Sequence, residues 1–368
     1  MKIGLTSPYA HPYVWRGAER YLHELAEWLA GRGHVVTIAT TAPDSARDEA
    51  AVPGVTIRYR LPGKPFGWGP LRVDELLRTV PCIARGVRDF DTDVIQCHGH
   101  ADAFAARLGT LGRRVPYVMW VPGAPRRARF TGRPLHWAAF RIGVAGAARI
   151  HSLSRFAARA LKEEFGVASQ VVPPGVRTEL YQGPKPRTGE PLVLCAAAPE
   201  DPRKRVEVLV RAFPLLLREV PNARLALAAP RAEEAERMLD CLDAPSRARA
   251  EVRTGLDARS LAELYRTAHV SVLPSVDEAF GLVMVESLAA GTPVVGADHG
   301  AIPEVIDDPS IGRLFPPDDG EALARKLVEV IEMAEDPETA VRCRAAAGCW
   351  DWSRVGPDLE ATYADLAN

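Results

Sequence analysis

Two features are missing from this sequence: an excess of charge of one sign and a long hydrophobic run. Its 368 residues include 46 Lys and Arg against 47 Asp and Glu, which leaves a formal net charge of −1 at pH 7. Proteins dedicated to nucleic-acid binding usually carry a broad basic excess, so this balance argues against that class. No apolar run approaches the roughly 18 residues that a membrane-spanning helix needs.

Cysteine pairs are missing as well, and we expect no leader sequence. The six cysteines are scattered and contain no C-x-x-C pair (Cys82, Cys97, Cys195, Cys241, Cys343 and Cys349). Such spacing is typical of reduced thiols and argues against zinc. The first residues, Met1 to Leu5, follow a strand pattern instead of a signal peptide, so we expect a cytoplasmic protein.

The residues that are present describe a globular protein of two domains. Apolar residues make up 47% of the chain and charged residues 25%, and the length suffices for two cores. Strand and helix patterns alternate on both sides of a Pro- and Gly-rich stretch, Gly183 to Gly189, which is the best candidate for a linker. We therefore predict an α/β fold with doubly wound parallel sheets and domains at 1–183 and 184–350.

The most informative stretch runs from Pro274 to Val305. It follows a buried strand pattern and contains an acidic loop, a glycine at Gly281, a helical pattern over 280–290 and a second strand over 294–297. This is the repeat of a parallel sheet, in which ligands lie at the carboxyl ends of the strands. Helix N-termini there offer unpaired N–H groups to anions, so the amides of Gly281 and Leu282 are candidate phosphate ligands.

Two glutamates lie around this helix start. Glu278 precedes the helix and Glu286 lies on it about two turns later, so both carboxylates could face one ligand. An ionised carboxylate only accepts hydrogen bonds, which suits the O–H donors of a sugar. The alternative is that both are solvated surface charges. For two isolated glutamates that interpretation is favoured, because short patterns often occur by chance.

The wider pattern reverses that preference. The spacing Glu278-x7-Glu286, the triplet Phe280-Gly281-Leu282, the run from Ala289 to Val295 and the pair Pro303-Glu304 closely resemble the signature of retaining GT-B glycosyltransferases of family 4. The resemblance extends, with weaker motifs, over nearly the whole chain. It implies two facing Rossmann-like domains, the first for the acceptor and the second for a nucleotide sugar. It also implies a C-terminal helix, 351–368, that returns to the first domain.

The resemblance implies roles for residues of the second half. Glu286 would bind the nucleotide ribose and Glu278 would face the donor sugar. The turn of Phe280, Gly281 and Leu282 would hold the diphosphate.

Three adjacent cations, Arg203, Lys204 and Arg205, precede a predicted helix of the second half. Such a triplet is usually only surface, but beside a diphosphate it would neutralise the charge that grows on the leaving group. Lys204 matches a lysine of the family, whereas Ala198-Pro199 replaces the family's Gly-Arg pair. Either Arg203 or Arg205 supplies the missing charge, or transfer is slow or absent.

In the first half, the run from Arg16 to Arg20 (Arg-Gly-Ala-Glu-Arg) stands where the family has Gly-Gly-x-Glu-Arg, a loop that faces donor phosphates and acceptor. Taken alone, Gly17 is more often a turn residue. The resemblance implies a phosphate contact through its backbone amide. Arg16 replaces the first glycine, which predicts a different loop shape or an added phosphate contact.

His98 and His100 follow a predicted strand over 93–97. A histidine at a strand end is more often packed or solvated than catalytic, although the carboxyl edge of a parallel strand is where substrate would lie. His98 aligns with the family's acceptor-site histidine, which implies contact with the transferred sugar or the acceptor, and His100 is the fallback. The next strand ends in Pro122-Gly123, where the family commonly has another histidine.

A basic segment runs from Ala105 to Glu164. It holds twelve Arg or Lys against two acidic residues, around an apolar helix over 135–147. The segment is either a solvated basic face or a dock for an anionic lipid surface or a phosphorylated acceptor.

We therefore expect a retaining glycosyltransferase that moves a sugar from a nucleotide-diphosphate donor, a UDP-sugar by preference, to an acceptor hydroxyl. The acceptor is a small molecule of specialised metabolism or a lipid or cell-envelope glycan, and the catalytic set is His98, Lys204 and Glu278. We expect no metal, because the family needs none, no other cofactor and no nucleic acid. We expect a cytoplasmic location, with membrane contact at the inner face through 105–164 as one option. The alternatives are a sugar-nucleotide epimerase and a nucleotide-binding protein that has lost transfer.

Overall fold

The computed structural model describes residues 1–10, 17–42, 44–60, 73–186 and 189–367. They form two compact units, Met1–Gly175 with Trp352–Asn368 as the first and Val176–Asp351 as the second. The first boundary therefore lies before the Pro- and Gly-rich stretch at which the sequence suggested a linker. Residues 176–183 belong to the second unit, where Tyr181 is buried and its ring lies 6.0 Å from that of Tyr265.

The first unit is built on one sheet. Its described strands are Lys2–Thr6 (β1), Val35–Thr41 (β2), Arg47–Val52 (β3), Val55–Arg60 (β4), Val94–His98 (β5), Tyr117–Val121 (β6), Arg149–Ser152 (β7) and Gln170–Val171 (β8). Their order in the sheet is β3-β4-β2-β1-β5-β6-β7-β8. All neighbouring strands are parallel except β3 and β4.

Helices cover both faces of this sheet. They include Gly17–Gly31 (α1), Val73–Arg88 (α2), His100–Gly109 (α3), Pro134–Gly146 (α4) and Arg155–Phe165 (α5). Alternate residues of β5 and β6, Ile95 and Met119 among them, form a core with Ile83 of α2, Phe140 of α4 and Leu161 of α5. This alternation is the period of two that a strand imposes on its side chains.

The second unit has a smaller parallel sheet. Its described strands are Leu192–Ala196 (β9), Arg224–Ala228 (β10), Ala250–Arg253 (β11), Val270–Leu273 (β12), Val294–Ala297 (β13) and Gly312–Phe315 (β14). The sheet order is β11-β10-β9-β12-β13-β14, and all pairs are parallel. Its helices are Val206–Glu219 (α6), Ala232–Leu239 (α7), Ala244–Arg247 (α8), Ala258–Thr267 (α9), Leu282–Ala289 (α10), Ile302–Val305 (α11), Gly320–Ala334 (α12) and Pro337–Ala347 (α13).

The last helix, Trp352–Ala367 (α14), belongs to the first unit, as the sequence predicted. It packs on α1 through Gly356, where an added Cβ would lie only 2.2 Å from the indole of Trp28. The Trp352 ring stacks on Tyr21 at a centroid distance of 5.5 Å. The buried Tyr363 hydroxyl donates to the Gln96 side chain of β5. Close packing and a buried hydrogen bond thus fix α14 to the sheet.

The predicted strands and helices agree with those of the structure, but some elements were not predicted, β3 and β14 among them. β3 is polar and exposed, and it pairs with β4 at the sheet edge partly through ion pairs such as Asp48 with Arg60, 2.7 Å apart. β14, Gly-Arg-Leu-Phe, begins with a glycine and an arginine, so it has no continuous apolar run. The helix predicted over 280–290 begins at Leu282, because Gly281 has φ 98, outside the helical region.

Candidate active site

Two loops of the second unit lie side by side at the carboxyl edge of its sheet. β9 and β12 are neighbours at the centre, and the strand order runs outward from them in opposite directions. The loops that follow them, 197–205 and 274–281, therefore lead to helices on opposite faces of the sheet. In an open parallel sheet, this reversal of strand order is where ligands bind.

Lys204 and Glu278 are brought together by these two loops. The Lys204 Nζ donates to the Glu278 Oε2 at 2.6 Å across 74 residues of sequence. The two side chains are only 22% and 17% exposed, so water screens their attraction less than on an open surface. Two of the three predicted catalytic residues are therefore neighbours.

Backbone contacts hold the acidic loop before Glu278. The Val276 N–H donates to the Arg203 carbonyl oxygen at 2.8 Å, which ties the two loops together. Asp277 has φ 52, a left-handed conformation that is rare for residues other than glycine. Its N–H donates to the Nδ1 of His299 at 3.0 Å.

The turn after β13 supports Glu278 from the other side. The Ala301 N–H donates to the Glu278 carbonyl oxygen at 2.9 Å. At Gly300 a Cβ would lie 2.7 Å from that same oxygen, so only glycine permits this close approach. Neither His299 nor Gly300 was predicted from the sequence. Their one available signal was a polar turn directly after a buried strand, the position at which ligand-binding loops occur.

The start of α10 has the features of an anion site. Gly281 occupies the N-cap position with φ 98, and as a glycine it has no side chain that could cap the helix. Contact of the Gly281 and Leu282 amides with a diphosphate, which such a helix start would favour, stays a prediction. Phe280 packs edge-on against Trp350 at a centroid distance of 6.1 Å. Glu286 lies within α10 and is 1% exposed; its contact with a ribose stays a prediction.

The two arginines beside Lys204 differ in their partners. The Arg203 Nε and Nη2 donate to Asp201 at 3.1 and 2.6 Å, and these bonds raise the pKa of Arg203. The charge of Glu278 also contributes to that raised pKa. Arg205 instead lies 3.3 Å from Asp318 and forms a second ion pair with Glu207 at 3.6 Å. Of the two candidates, Arg203 is the one whose charge acts together with Glu278.

His98 lies in the first unit, buried at the end of β5. Its Nδ1 donates to the Thr6 carbonyl oxygen at 3.0 Å, and its Nε2 lies 3.3 Å from the Gln96 amide nitrogen. Burial lowers the pKa of His98 to about 4, and the bond to Thr6 opposes this only in part. The ring is therefore neutral, and it also packs against Trp120 at 5.1 Å. The predicted contact with sugar or acceptor stays a prediction.

His100 begins α3 and pairs with a residue that the sequence did not suggest. Its Nε2 lies 3.1 Å from the Nδ1 of His136 on α4. Burial, and then the charge of His136, lower the pKa of His100 to about 4.

Gly17 is exposed at the first position of α1. Arg16 lies outside the described residues.

The basic segment exposes one face of α4. Leu135 and Ile142 are 43% and 42% exposed and lie two turns apart on the same side. Arg141 is exposed beside Ile142, and the Arg127 guanidinium lies over the Trp137 ring at 5.7 Å. In the part of the chain that the structure describes, no helix combines the length and apolar character needed to cross a membrane.

Comparison with known proteins agrees with this architecture. Residues 15–180 match the family described as Glycosyltransferase Family 4, and residues 190–333 match Glycosyl transferases group 1. A D-inositol 3-phosphate glycosyltransferase of Saccharomonospora viridis is 30% identical over 400 residues, covering 95% of this chain and 89% of that protein. The chain belongs to glycosyltransferase family 4.

Another relative and two solved structures are also similar to this chain. A phosphatidyl-myo-inositol mannosyltransferase of Mycobacterium tuberculosis is 29% identical over 389 residues, covering 100% of this chain and 97% of that protein. Sucrose-phosphate synthase from Thermosynechococcus elongatus superposes with a TM-score of 0.84 at 20% identity, over 99% of this chain and 98% of that one. Anabaena HepE, solved with UDP and glucose, has a TM-score of 0.75 at 18% identity over 99% of each. The structural likeness confirms the GT-B fold.

Proposed function

We propose that this glycosyltransferase moves a sugar from a nucleotide-diphosphate donor, a UDP-sugar by preference, to an acceptor hydroxyl with retention of configuration. The observation that carries the proposal is the Lys204–Glu278 pair at the reversal of strand order, beside the uncapped start of α10. A cation, a carboxylate and a helix N-terminus at one sheet edge match a diphosphate linked to a sugar. The Anabaena protein solved with UDP and glucose supports the choice of donor.

In the proposed reaction the bond between the sugar C1 and the β-phosphate oxygen breaks, and the acceptor oxygen bonds to C1 on the same face. The departing phosphate takes the acceptor's proton, so no side chain needs to form a covalent intermediate. Lys204 neutralises the charge that grows on this phosphate, and Arg203 adds to the field. Glu278 accepts hydrogen bonds from the sugar hydroxyls and Glu286 from the ribose. This arrangement needs no metal ion.

We propose further that the acceptor carries a phosphate group. Both inositol-specific relatives named above act on compounds that contain phosphate, one of them a lipid. The basic segment 105–164 would attract such an acceptor, and the exposed Leu135 and Ile142 would suit contact with an anionic lipid surface at the inner face of a membrane. The protein itself would be cytoplasmic.

A panel of UDP-, GDP- and dTDP-sugars tests the donor site. The true donor should raise the melting temperature of the wild-type protein, and Glu286→Ala should abolish that shift. Glu278→Ala should reduce turnover more than it reduces nucleotide binding. Two variants that behave as wild type would refute the assignment of the site.

Transfer itself is tested with inositol 3-phosphate and with phosphatidylinositol vesicles as acceptors. Retention predicts a product with the donor's anomeric configuration by NMR, and turnover should survive EDTA. Consumption of the sugar nucleotide without acceptor would indicate an epimerase. Binding of nucleotide with neither transfer nor hydrolysis would indicate a protein that has lost transfer.

Vesicle sedimentation tests the membrane contact. With vesicles containing phosphatidylserine, Ile142→Asp should weaken binding, whereas Val341→Asp should not. Val341 is a matched control because it is 55% exposed on α13 of the other unit. Equal binding of both variants would leave α4 without a role in lipid contact.

A further inference from the structure

The strained residue next to Glu278 has a side-chain partner that the proposed reaction does not yet use. Asp277 has φ 52, a conformation that residues with side chains keep only when their surroundings hold it. The group that meets its N–H is the Nδ1 of His299, at 3.0 Å. His299 lies in the turn that follows β13, and β13 is the neighbour of β12 in the sheet.

The loop is held at three successive residues, 276, 277 and 278. The Val276 N–H donates to the Arg203 carbonyl oxygen and the Glu278 carbonyl oxygen accepts from the Ala301 N–H. These two bonds use main-chain atoms, which almost any residue would supply. The bond at Asp277 uses a side chain, so it depends on which amino acid occupies position 299.

The geometry also specifies the form of the ring. A nitrogen that accepts from a backbone N–H carries no proton in that bond, so Nδ1 is the acceptor nitrogen of the ring. The side chain at position 299 must therefore supply a hydrogen-bond acceptor for the Asp277 N–H. Asparagine can place its amide oxygen close to the Nδ1 position, whereas glutamine, which is one methylene longer, can imitate Nε2 instead.

We propose that His299 is a positioning residue for sugar transfer: it holds Glu278 beside Lys204 by accepting the N–H of Asp277. The inference rests on the proposed function. His299 acts through the backbone and touches neither donor nor acceptor. Rotation at Asp277 would swing the chain that follows it, and the Glu278 carboxylate would leave the Lys204 ammonium, which now lies 2.6 Å away.

The test compares His299→Asn, His299→Gln and His299→Leu with the wild-type full-length protein. The first measurement is hydrogen–deuterium exchange of the 274–282 peptide, which needs no substrate. We expect the Asp277 amide to exchange about tenfold faster or more in the Gln and Leu variants, and close to the wild-type rate in the Asn variant. Melting temperature shows that each variant is folded, and because His299 is only half-buried all three should be.

The second measurement is steady-state transfer. The Gln and Leu variants should lose kcat about tenfold or more with little change in affinity for free UDP, and the Asn variant should be rescued to within about threefold of wild type. A merely structural role would not distinguish Asn from Gln. Slow exchange in all variants, or transfer by all of them at the wild-type rate, would overturn the inference. The expected exchange pattern in a protein that transfers no sugar would instead refute the proposed function and leave the loop contact standing.

Discussion

The ammonium of Lys204 lies 2.6 Å from the carboxylate of Glu278, although 74 residues separate them in the chain. The contact exists because β9 and β12 are adjacent, so the loops that follow them share one edge of the sheet. Before a donor binds, each charge is the other's partner. When a nucleotide sugar is bound, Lys204 would instead contact the diphosphate and Glu278 would contact the sugar hydroxyls.

Lys204→Met should lower kcat for transfer about a hundredfold or more, because one preorganised charge at the leaving group is lost. Lys326→Met is the matched control. Lys326 also lies 2.6 Å from a glutamate, Glu329, but both residues belong to α12 and neither is part of the two loops. Steady-state transfer rates for both variants check this. Equal rates in the two variants would show that the Lys204 ion pair is only structural.

Gly300→Ala should both destabilise the second unit and reduce transfer. Gly300 has φ 68, and an added Cβ would lie 2.7 Å from the Glu278 carbonyl oxygen. Gly166→Ala is the control, because Gly166 has φ 69 and nothing lies within 4 Å of its added Cβ. Both changes share the cost of the left-handed backbone, about 1–2 kcal/mol.

The steric contact at Gly300 should add about 1–3 kcal/mol to the loss in unfolding free energy, by analogy with overpacked cores. Urea denaturation measures that difference. Transfer should fall only for Gly300→Ala, and an unchanged rate would show that the turn after β13 does not set the position of Glu278.

Gly356→Ala should loosen the attachment of α14 to the first unit. Its Cβ would lie 2.2 Å from the Trp28 indole, and overpacking of this kind costs about 1–3 kcal/mol. Gly348→Ala is the contrast, because nothing lies within 4 Å of its added Cβ and its φ is −57. There the substitution should stabilise by about 0.4–1 kcal/mol by restricting the unfolded chain. Thermal unfolding of the two variants should therefore shift in opposite directions.

The first unit should lose stability in mild acid. Burial lowers the pKa of both His98 and His151 to about 4 from 6.5, so between these values the unfolded chain binds protons that the folded unit does not. Unfolding free energy therefore falls as pH drops through this window, by about 2 kcal/mol per histidine at pH 5. Urea denaturation at pH 7.5 and pH 5 measures the loss.

His151→Leu should remove part of that loss. The ring is fully buried on β7, and among the described residues no group hydrogen-bonds either of its nitrogens. Replacing it with an apolar side chain should change stability little at pH 7.5 and make the protein more stable than wild type at pH 5. An identical pH dependence in variant and wild type would show that His151 does not titrate on unfolding.

Much of the fold could be predicted because each strand and helix carries its own pattern. The run from β12 through α10 to β13 has an apolar strand, a glycine, an apolar helix and a second apolar strand, and local sterics and burial produce these elements wherever they occur. β3 was not predicted because it is a polar edge strand, and such a strand lacks the hydrophobic alternation by which strands are recognised. The family resemblance was confirmed, and it extended the prediction to α14.

The candidate site was only partly predictable. Lys204 and Glu278 were both named, but nothing local shows that they touch. His299 and Gly300 were missed because their contacts are with the backbone of a loop on another strand. The choice between Arg203 and Arg205 was left open, since it depends on Asp201 and Asp318 as partners.

By itself, the sequence determined the α/β class, the order of the elements, the family and the identity of the charged groups at the carboxyl edge of the second sheet. These follow from periodicity, turn residues and motif spacing, which act over a few neighbours in the chain. Only the tertiary structure decided that β9 lies beside β12 and that His299 accepts the Asp277 N–H. It also decided that the two ring nitrogens of His98 contact Thr6 and Gln96. Such contacts depend on strand pairing and dense packing between distant segments, and no short stretch of sequence contains both partners.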